Sequence, residues 1–392
     1  GYIKRVALSS YRAQRRGGKG RAGMSTRDED FVSKVFVCNT HTPVLFFSSH
    51  GIVYRLKVYR LPEGNPQARG KALINLLPLE DGETITTVMP MPEDEESWGD
   101  LFIMFATASG GIRRNRLSDF TNIMANGKIA MKLDEGDELI GVQTCSEDQD
   151  IMLAADSGKC IRFPVTEVRI FSGRTSTGVR GIRLANDQKI VSMTMIEHVE
   201  LETDVRDAYL KMSKARRRLP DEEGDIDEHI AEEADEVREG MSSQPLSLTD
   251  EDFDALSGKE QFILTVTENG YGKRTSAFEY RTTRRGGQGV VNIATEGRNG
   301  SVAASFPVED GDQMMLVTDG GKIIRSPVAD IRIAGRSTQG VTLFDTADDE
   351  KVVSVAHLQE SDEPTDNEDE TAAIAESGEI TADNIDDTSR GA

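Results

Sequence analysis

The chain has 392 residues, of which 37% are hydrophobic and 29% charged, and a formal net charge of -22. This is the composition of a globular chain with room for roughly two or three domains, and it excludes collagenous and wholly disordered classes. No apolar run reaches the 18 or so residues that span a bilayer and no signal-peptide pattern opens the chain, so a cytoplasmic protein with no membrane partner is expected.

Taken in order, the first element is GYIKR at residues 1 to 5, which reads as the second half of a strand hairpin. The chain begins on Gly1 rather than Met, inside what looks like a structural unit, and is expected to be a piece of something longer. Residues 14 to 20 follow as QRRGGKG, a flexible and strongly basic loop. Five fuller hairpins come next: SSHGIVYR at 48 to 55, TASGGIRR at 107 to 114, ADSGKCIR at 155 to 162, TENGYGKR at 267 to 274 and TDGGKIIR at 318 to 325. Asn269-Gly270, Asp319-Gly320 and the Ser-Gly pairs are turn chemistry, because small and Asx residues reach positive φ cheaply.

Each hairpin ends in an arginine. The series Arg5, Arg55, Arg114, Arg162, Arg274 and Arg325 is spaced by 50, 59, 48, 112 and 51 residues. The one long interval predicts an insertion at 200–254 between the fourth and fifth units. Within it Val205, Ala208, Tyr209 and Met212, then Ile226, Ile230, Ala234 and Val237, follow helical spacing, so a helical hairpin with disordered flanks near 241–252 is expected. Later strands in the units read ELIGVQTC, KIVSMTMI and KVVSVAHL. Six units of about 50 residues, each with about four short strands, predict a radial all-β architecture in which 1–199 and 255–358 fold as one domain.

Each unit also carries a glycine 13 to 16 residues past its arginine: Gly20, Gly70, Gly127, Gly178, Gly289 and Gly340. A position that recurs in this way is expected to need positive φ or close strand approach.

The charge is unevenly distributed. Residues 200–254 carry 19 acidic and 7 basic side chains and residues 359–392 carry 12 and 1, so these two segments hold -12 and -11 and the rest of the chain carries +1. Cations in that remainder are free to gather on one surface. The acidic tail, 359–392, has no aromatic residue and is expected to be disordered and to compete with any polyanion for the basic sites.

Gly18-Lys19-Gly20-Arg21-Ala22-Gly23 matches GxGxxG formally, but no βαβ unit surrounds it and a dinucleotide site is not indicated. A loop that grips phosphates fits better: glycines let backbone N–H groups approach a duplex while Arg15, Arg16 and Lys19 neutralise it. Bending 20 to 30 base pairs by 40 to 90° costs on the order of 1–6 kcal/mol, so wrapping needs many contacts along an arc. Arg55 and Lys57, Arg113 and Arg114, Lys159 and Arg162, Lys273 and Arg274, and Lys322 and Arg325 are the repeated candidates. To these the imperfect copy TRRGGQG at 283–289 adds Arg284 and Arg285, and Arg336 shares the offset of 11 with Arg16 and Arg285.

QRRGGKG, together with the six hairpin units and the phrases NLLPLE, GDELIGV, TGVRGIRL and GRSTQGV, resembles the C-terminal domain of the A subunit of DNA gyrase, a type IIA topoisomerase, over nearly all of residues 1–358. The resemblance implies a six-bladed β-pinwheel, a propeller-like ring with strands exchanged between blades, that wraps double-stranded DNA on a basic outer rim so that the holoenzyme introduces negative supercoils. It implies Gln14, Arg15, Arg16, Gly17, Gly18, Lys19 and Gly20 as the DNA-binding box. It implies as partners the catalytic core of the same subunit together with the gyrase B subunit, in an A2B2 assembly, with ATP and magnesium used by the holoenzyme and no cofactor in this fragment. The isolated domain is expected to be monomeric. A topoisomerase IV-like domain and a protein-interaction propeller are the alternatives.

Catalysis is not expected from this chain. Its five histidines are dispersed without metal-ligand spacing, Cys38, Cys145 and Cys160 lack CxxC spacing, and no GxxxxGK[ST] loop occurs. In the family the DNA-cleaving tyrosine precedes this domain.

Overall fold

A computed structural model describes residues 1–7, 10, 21–22, 36–92, 94, 96–124, 126–217, 248–347 and 349–358. The box at 14–20, the second helical stripe at 226–237 and the tail at 359–392 lie outside the described residues.

The first unit contributes β1 (Tyr2–Ile3) and β2 (Arg21–Ala22). The second contributes β3 (Pro43–Ser48), β4 (Ile52–Lys57), β5 (Lys71–Ala72) and β6 (Ile85–Pro90). The third has β7 (Phe102–Thr107), β8 (Gly111–Arg116), β9 (Lys128–Ile129) and β10 (Leu139–Cys145). In the fourth are β11 (Gln149–Ala155), β12 (Lys159–Pro164), β13 (Val179–Arg180) and β14 (Ile190–Glu197). Two helices follow, α1 (Thr203–Arg217) and α2 (Asp250–Ser257). The fifth unit is β15 (Phe262–Thr267), β16 (Tyr271–Ser276), β17 (Val290–Val291) and β18 (Val302–Val308). The sixth is β19 (Gln313–Thr318), β20 (Lys322–Pro327), β21 (Val341–Thr342) and β22 (Val352–Leu358).

The units do not keep their own strands. Each sheet joins the hairpin and the last strand of one unit to the two-residue strand of the next: β6-β3-β4-β9, β10-β7-β8-β13, β14-β11-β12-β17 and β18-β15-β16-β21. The fifth sheet, β22-β19-β20-β2, takes its exchanged strand from the first unit, with Arg21 opposite Ile323 and Ala22 opposite Lys322, and so closes a propeller-like ring. The remaining sheet is β1-β5 alone. Against the expectation of six equal blades, the described residues form five four-stranded sheets and one two-stranded ribbon, because β1 has no hairpin partner strand among them.

The hairpin strands are apolar on both faces because both are covered. All six residues of β3 and all six of β7 are buried. The apolar clusters run between neighbouring sheets: Leu45, Phe47 and Met89 of one pack with Ile103, Phe105 and Phe120 of the next. Phe47 meets Phe105 edge-on at 5.6 Å. Each buried Phe of this kind is worth about 1.5–3 kcal/mol, which no single sheet secures without its neighbour. The strands β6, β10, β14, β18 and β22 neighbour one another around the centre, which leaves the exchanged strands on the outer edge.

The first helical stripe is α1, as its spacing predicts. The flank expected to be disordered up to 252 instead includes the start of α2, where Thr249 caps the helix by accepting from the Asp252 amide at 3.1 Å. The helix runs on to Ser257, past the boundary at 254. Its base is docked: Tyr209, fully buried, stacks on Phe253 at 4.9 Å and meets Phe278 edge-on at 5.4 Å.

Candidate nucleic-acid interface

Each exchanged strand is entered through a loop that ends in glycine. Gly178, Gly289 and Gly340 have φ of 95°, 77° and 82°, and at each a Cβ would stand 2.4 Å from a carbonyl oxygen, of Ile112, Cys160 or Gly272, in the neighbouring hairpin. Positive φ and close approach are both required there, so only glycine fits. Gly70 and Gly127 share the conformation; Gly20 is outside the described residues.

Sequence alone assigns the cations near these loops one character, but the structure divides them. In the third unit Arg113 is fully buried, its guanidinium donating to the carbonyls of Arg174 at 3.0 Å, Ser176 at 2.7 Å and Gly173. Lys273 is fully buried in the same place two units on, and its ammonium donates to the carbonyls of Arg336 at 2.6 Å, Thr338 at 3.0 Å and Gly335. Lys4 treats the loop at 65–68 alike, donating to Asn65 and Ala68 carbonyls at 2.9 and 2.7 Å and to that of Pro66. Burial is the leading cause that pulls Arg113 down to about 10 and Lys273 down to about 7.

Most of the arginines that end the hairpins are stitches between units, and Arg325 bonds within its own hairpin. Arg162 pairs with the buried Asp150 at 2.7 Å and donates to the Ala277 carbonyl at 2.8 Å. Arg114 pairs with Glu147 at 3.0 Å, and Arg274 pairs with Asp310 while donating to the Ile331 carbonyl at 2.8 Å. Arg55 donates to the Thr121 carbonyl at 2.8 Å and Arg325 to Gln313 Oε1 at 2.6 Å. Arg113, Arg114, Arg162, Lys273 and Arg274, expected on a phosphate-binding rim, are instead all buried, and each donates to the protein's own oxygens, while Nε of Arg113 and of Arg114 is buried without a hydrogen-bond partner among the described residues. Desolvating a cation costs several kcal/mol, so a buried one needs such partners and has no face left for a ligand.

Among the remaining candidates Lys159 is exposed, Lys57 half-buried, and Lys322 paired with Glu350 at 2.5 Å. The loop at 283–289 is the most informative. Its Gly286 amide donates to the Gly181 carbonyl at 2.5 Å, the Arg183 amide donates back to the Gly287 carbonyl at 2.8 Å, and Thr283 donates through its amide to the Arg162 carbonyl at 2.9 Å. These bonds lay the fifth unit's loop along residues 180–183 of the fourth. Arg180, Arg183 and Arg284 thus lie on adjoining segments, all exposed, and none is ion-paired with a carboxylate among the described residues. Arg285, half-buried, points sideways and donates from Nε to the Glu167 carbonyl and from Nη1 to the Arg180 carbonyl, both at 3.1 Å. Arg336 donates from Nη1 to the Val291 carbonyl at 2.8 Å.

Arg180 and Arg183 are absent from the cations the sequence nominates. The signal that could have found them is their place in TGVRGIRL, directly after a loop glycine, where the chain has just returned to the outer edge. Exposed guanidinium groups on adjoining segments, none ion-paired among the described residues, are suited to a polyanion held by its backbone.

The family described as DNA gyrase C-terminal domain, beta-propeller, matches residues 1–39, 42–90, 102–146, 149–197, 261–309 and 312–358. The DNA gyrase A subunit of Granulibacter bethesdensis is 51% identical over 379 residues, and that of Rickettsia bellii is 50% identical over 381; each alignment covers 96% of this chain and 40% of the relative. The corresponding protein from Salmonella typhimurium is 40% identical over 368 residues. The chain thus spans about 40% of the length of the curated relatives it matches. A solved structure of a DNA gyrase A C-terminal domain superposes with a TM-score of 0.68 at 22% identity, covering 92% of this chain and 97% of that one. The C-terminal domain of a DNA topoisomerase IV superposes at 0.57 and 20% identity, which shows the shared fold alone. Six matched segments on the repeat boundaries and relatives at half identity over the whole ring agree: the chain belongs to the DNA gyrase C-terminal domain, beta-propeller, family.

Proposed function

We propose that this chain holds duplex DNA by its phosphates along the outer edge of the ring and wraps it, so that a gyrase holoenzyme containing it introduces negative supercoils. The observation that carries the reading is the exposure of Arg180, Arg183 and Arg284 on adjoining segments, none ion-paired among the described residues, in a protein that buries Arg113, Arg114, Arg162, Lys273 and Arg274. The box from Gln14 to Gly20 is the strongest contact by family resemblance, Arg284 a secondary one, and Lys57, Lys159 and Lys322 supplement the arc. The six repeat units act as six blades over 1–199 and 255–358, with 200–254 as an insertion and 359–392 as an acidic tail. The rest of the same polypeptide, with its cleavage site, and the gyrase B subunit with ATP and magnesium complete the enzyme.

Backbone recognition makes affinity steeply salt dependent and nearly indifferent to sequence. Titrating the protein with random-sequence duplex at several salt concentrations is expected to give a log–log slope that flattens by about 0.9 for each of Arg180, Arg183 and Arg284 changed to Ala. Arg15, Arg16 and Lys19 changed to Ala together are expected to abolish supercoiling by the reconstituted holoenzyme with the ring still folded. No binding at low salt, or binding without a salt slope, overturns the reading in favour of a protein-interaction propeller.

A further inference from the structure

Arg285 and Arg336 stand eleven residues after Arg274 and Arg325 and do the same thing. Arg285 Nη1 donates to the carbonyl of Arg180, the second residue of β13, at 3.1 Å; Arg336 Nη1 donates to that of Val291, the second residue of β17, at 2.8 Å. These are equivalent positions in consecutive units. An exchanged strand is the outermost of its sheet, so a carbonyl on its far side has no ladder partner. In both places the arginine of the following loop supplies one. Arg285 adds a second bond, from Nε to the Glu167 carbonyl at 3.1 Å, so its guanidinium fixes two points of the preceding unit.

Directly beside Arg285, Arg284 is exposed and has no such partner among the described residues. Two adjacent arginines in one RRGG run therefore have different surroundings: one turned along the edge into protein carbonyls, one turned to solvent. Arg285 reaches its two carbonyls through two different nitrogens of one planar fork, whereas a lysine has a single nitrogen, which holds several carbonyls only where they converge on one point, as around Lys273.

We propose that Arg285 and Arg336 are positioning residues of the DNA interface. Each latches its loop to the exchanged strand of the unit before it and so fixes the offset between cationic groups of successive blades, while contact with phosphate at the 283–289 loop falls to Arg284 together with Arg180 and Arg183. The latch stands on the geometry alone; its effect on DNA rests on the DNA-binding reading above.

The two arginines are separated by charge-conserving substitution. R284A is expected to flatten the salt slope by about 0.9, and R284K, which keeps the charge but not the fork, to recover that lost slope. R285K and R285A are expected to weaken binding alike, by about tenfold, because the loop must be ordered on binding. Amide hydrogen exchange of the DNA-free protein gives the independent readout: Gly286 and Arg183 exchange faster in R285A and R285K and unchanged in R284A. Binding restored by R285K to the unmodified level, or exchange unaffected by both Arg285 variants, overturns the latch. Faster exchange in a protein that binds no DNA even unmodified leaves the latch standing and removes the DNA reading instead. Should either Arg285 variant unfold, R336A and R336K are compared in the same assays, with exchange read at Val291 and its neighbours.

Discussion

Lys273 shows how much a single side chain is asked to do. Its ammonium is surrounded by the carbonyls of Gly335, Arg336 and Thr338 and by Thr338 Oγ1, and burial lowers it to about 7 from 10.5. Glu279 opposes that shift, while Arg336 adds to it. Between pH 7 and 10.5 the unfolded chain carries a proton here that the folded chain has released, so stability rises with pH across that window and the cost of burying the charge is fully present below it. The third unit places Arg113 in the same cage, and arginine keeps its charge further into the alkaline range. In K273R the alkaline gain is expected to disappear. Denaturant midpoints of the two proteins, compared from pH 6 to 10, test this; parallel curves would count against it.

At the scale of elements, the six units are of two kinds. Lys4, Arg113 and Lys273 cage the loops of units two, four and six, while Tyr54, Ile161 and Ile324 stand at the corresponding points of the other three hairpins. The RRGG loop at 283–289 lies over one of the latter, with Gly287 against Ile161, and is held from outside by Arg285. The insertion is likewise fixed by side chains and not by strand pairing. Tyr209, Phe253 and Phe278 form its base, and Lys214 reaches Glu279 at 3.6 Å. Replacing 218–247 by a short Gly/Ser linker is therefore expected to leave thermal unfolding unchanged. Deleting 200–254 removes most of the helical pair, cuts α2 within its length and uncovers Phe278, a loss on the order of 2–3 kcal/mol. Calorimetry of the two deletions should give a lowered midpoint only for the second; equal midpoints would show the helices to be dispensable cover.

Over the whole molecule the net charge of -22 is a poor guide, because the 359–392 tail and the insertion together hold -23 and the ring is close to neutral. A tethered polyanion works at high effective concentration and is screened as the Debye length falls from about 10 Å at 0.1 M salt to about 3 Å at 1 M. Truncation after Leu358 is expected to tighten duplex binding most at low salt and not at all at high salt. Equal affinities throughout the titration would reduce the tail to a solubility element.

Much of this was legible in the sequence. The repeat, the hairpins, the loop glycines and the insertion's first helix follow from local rules, since φ preference, turn chemistry and helical spacing depend only on near neighbours in the chain. Within that local reading one detail moved: in the sixth unit's turn the positive φ of 78° falls on Gly321 and not Gly320. Which cations face solvent did not follow. Arg113 and Arg284 are both arginines beside a second arginine in a basic stretch, yet one is sealed under the next unit's loop and the other is bare. That difference arises because each short strand crosses to the sheet of the preceding unit, a pairing between residues 67 to 302 positions apart that no local pattern encodes. Near neighbours along the chain set the units and their turns, whereas the exchange of strands between sheets settles which charges are stitches, which are latches and which are left for a ligand, because burial of a charge depends on what is brought over it.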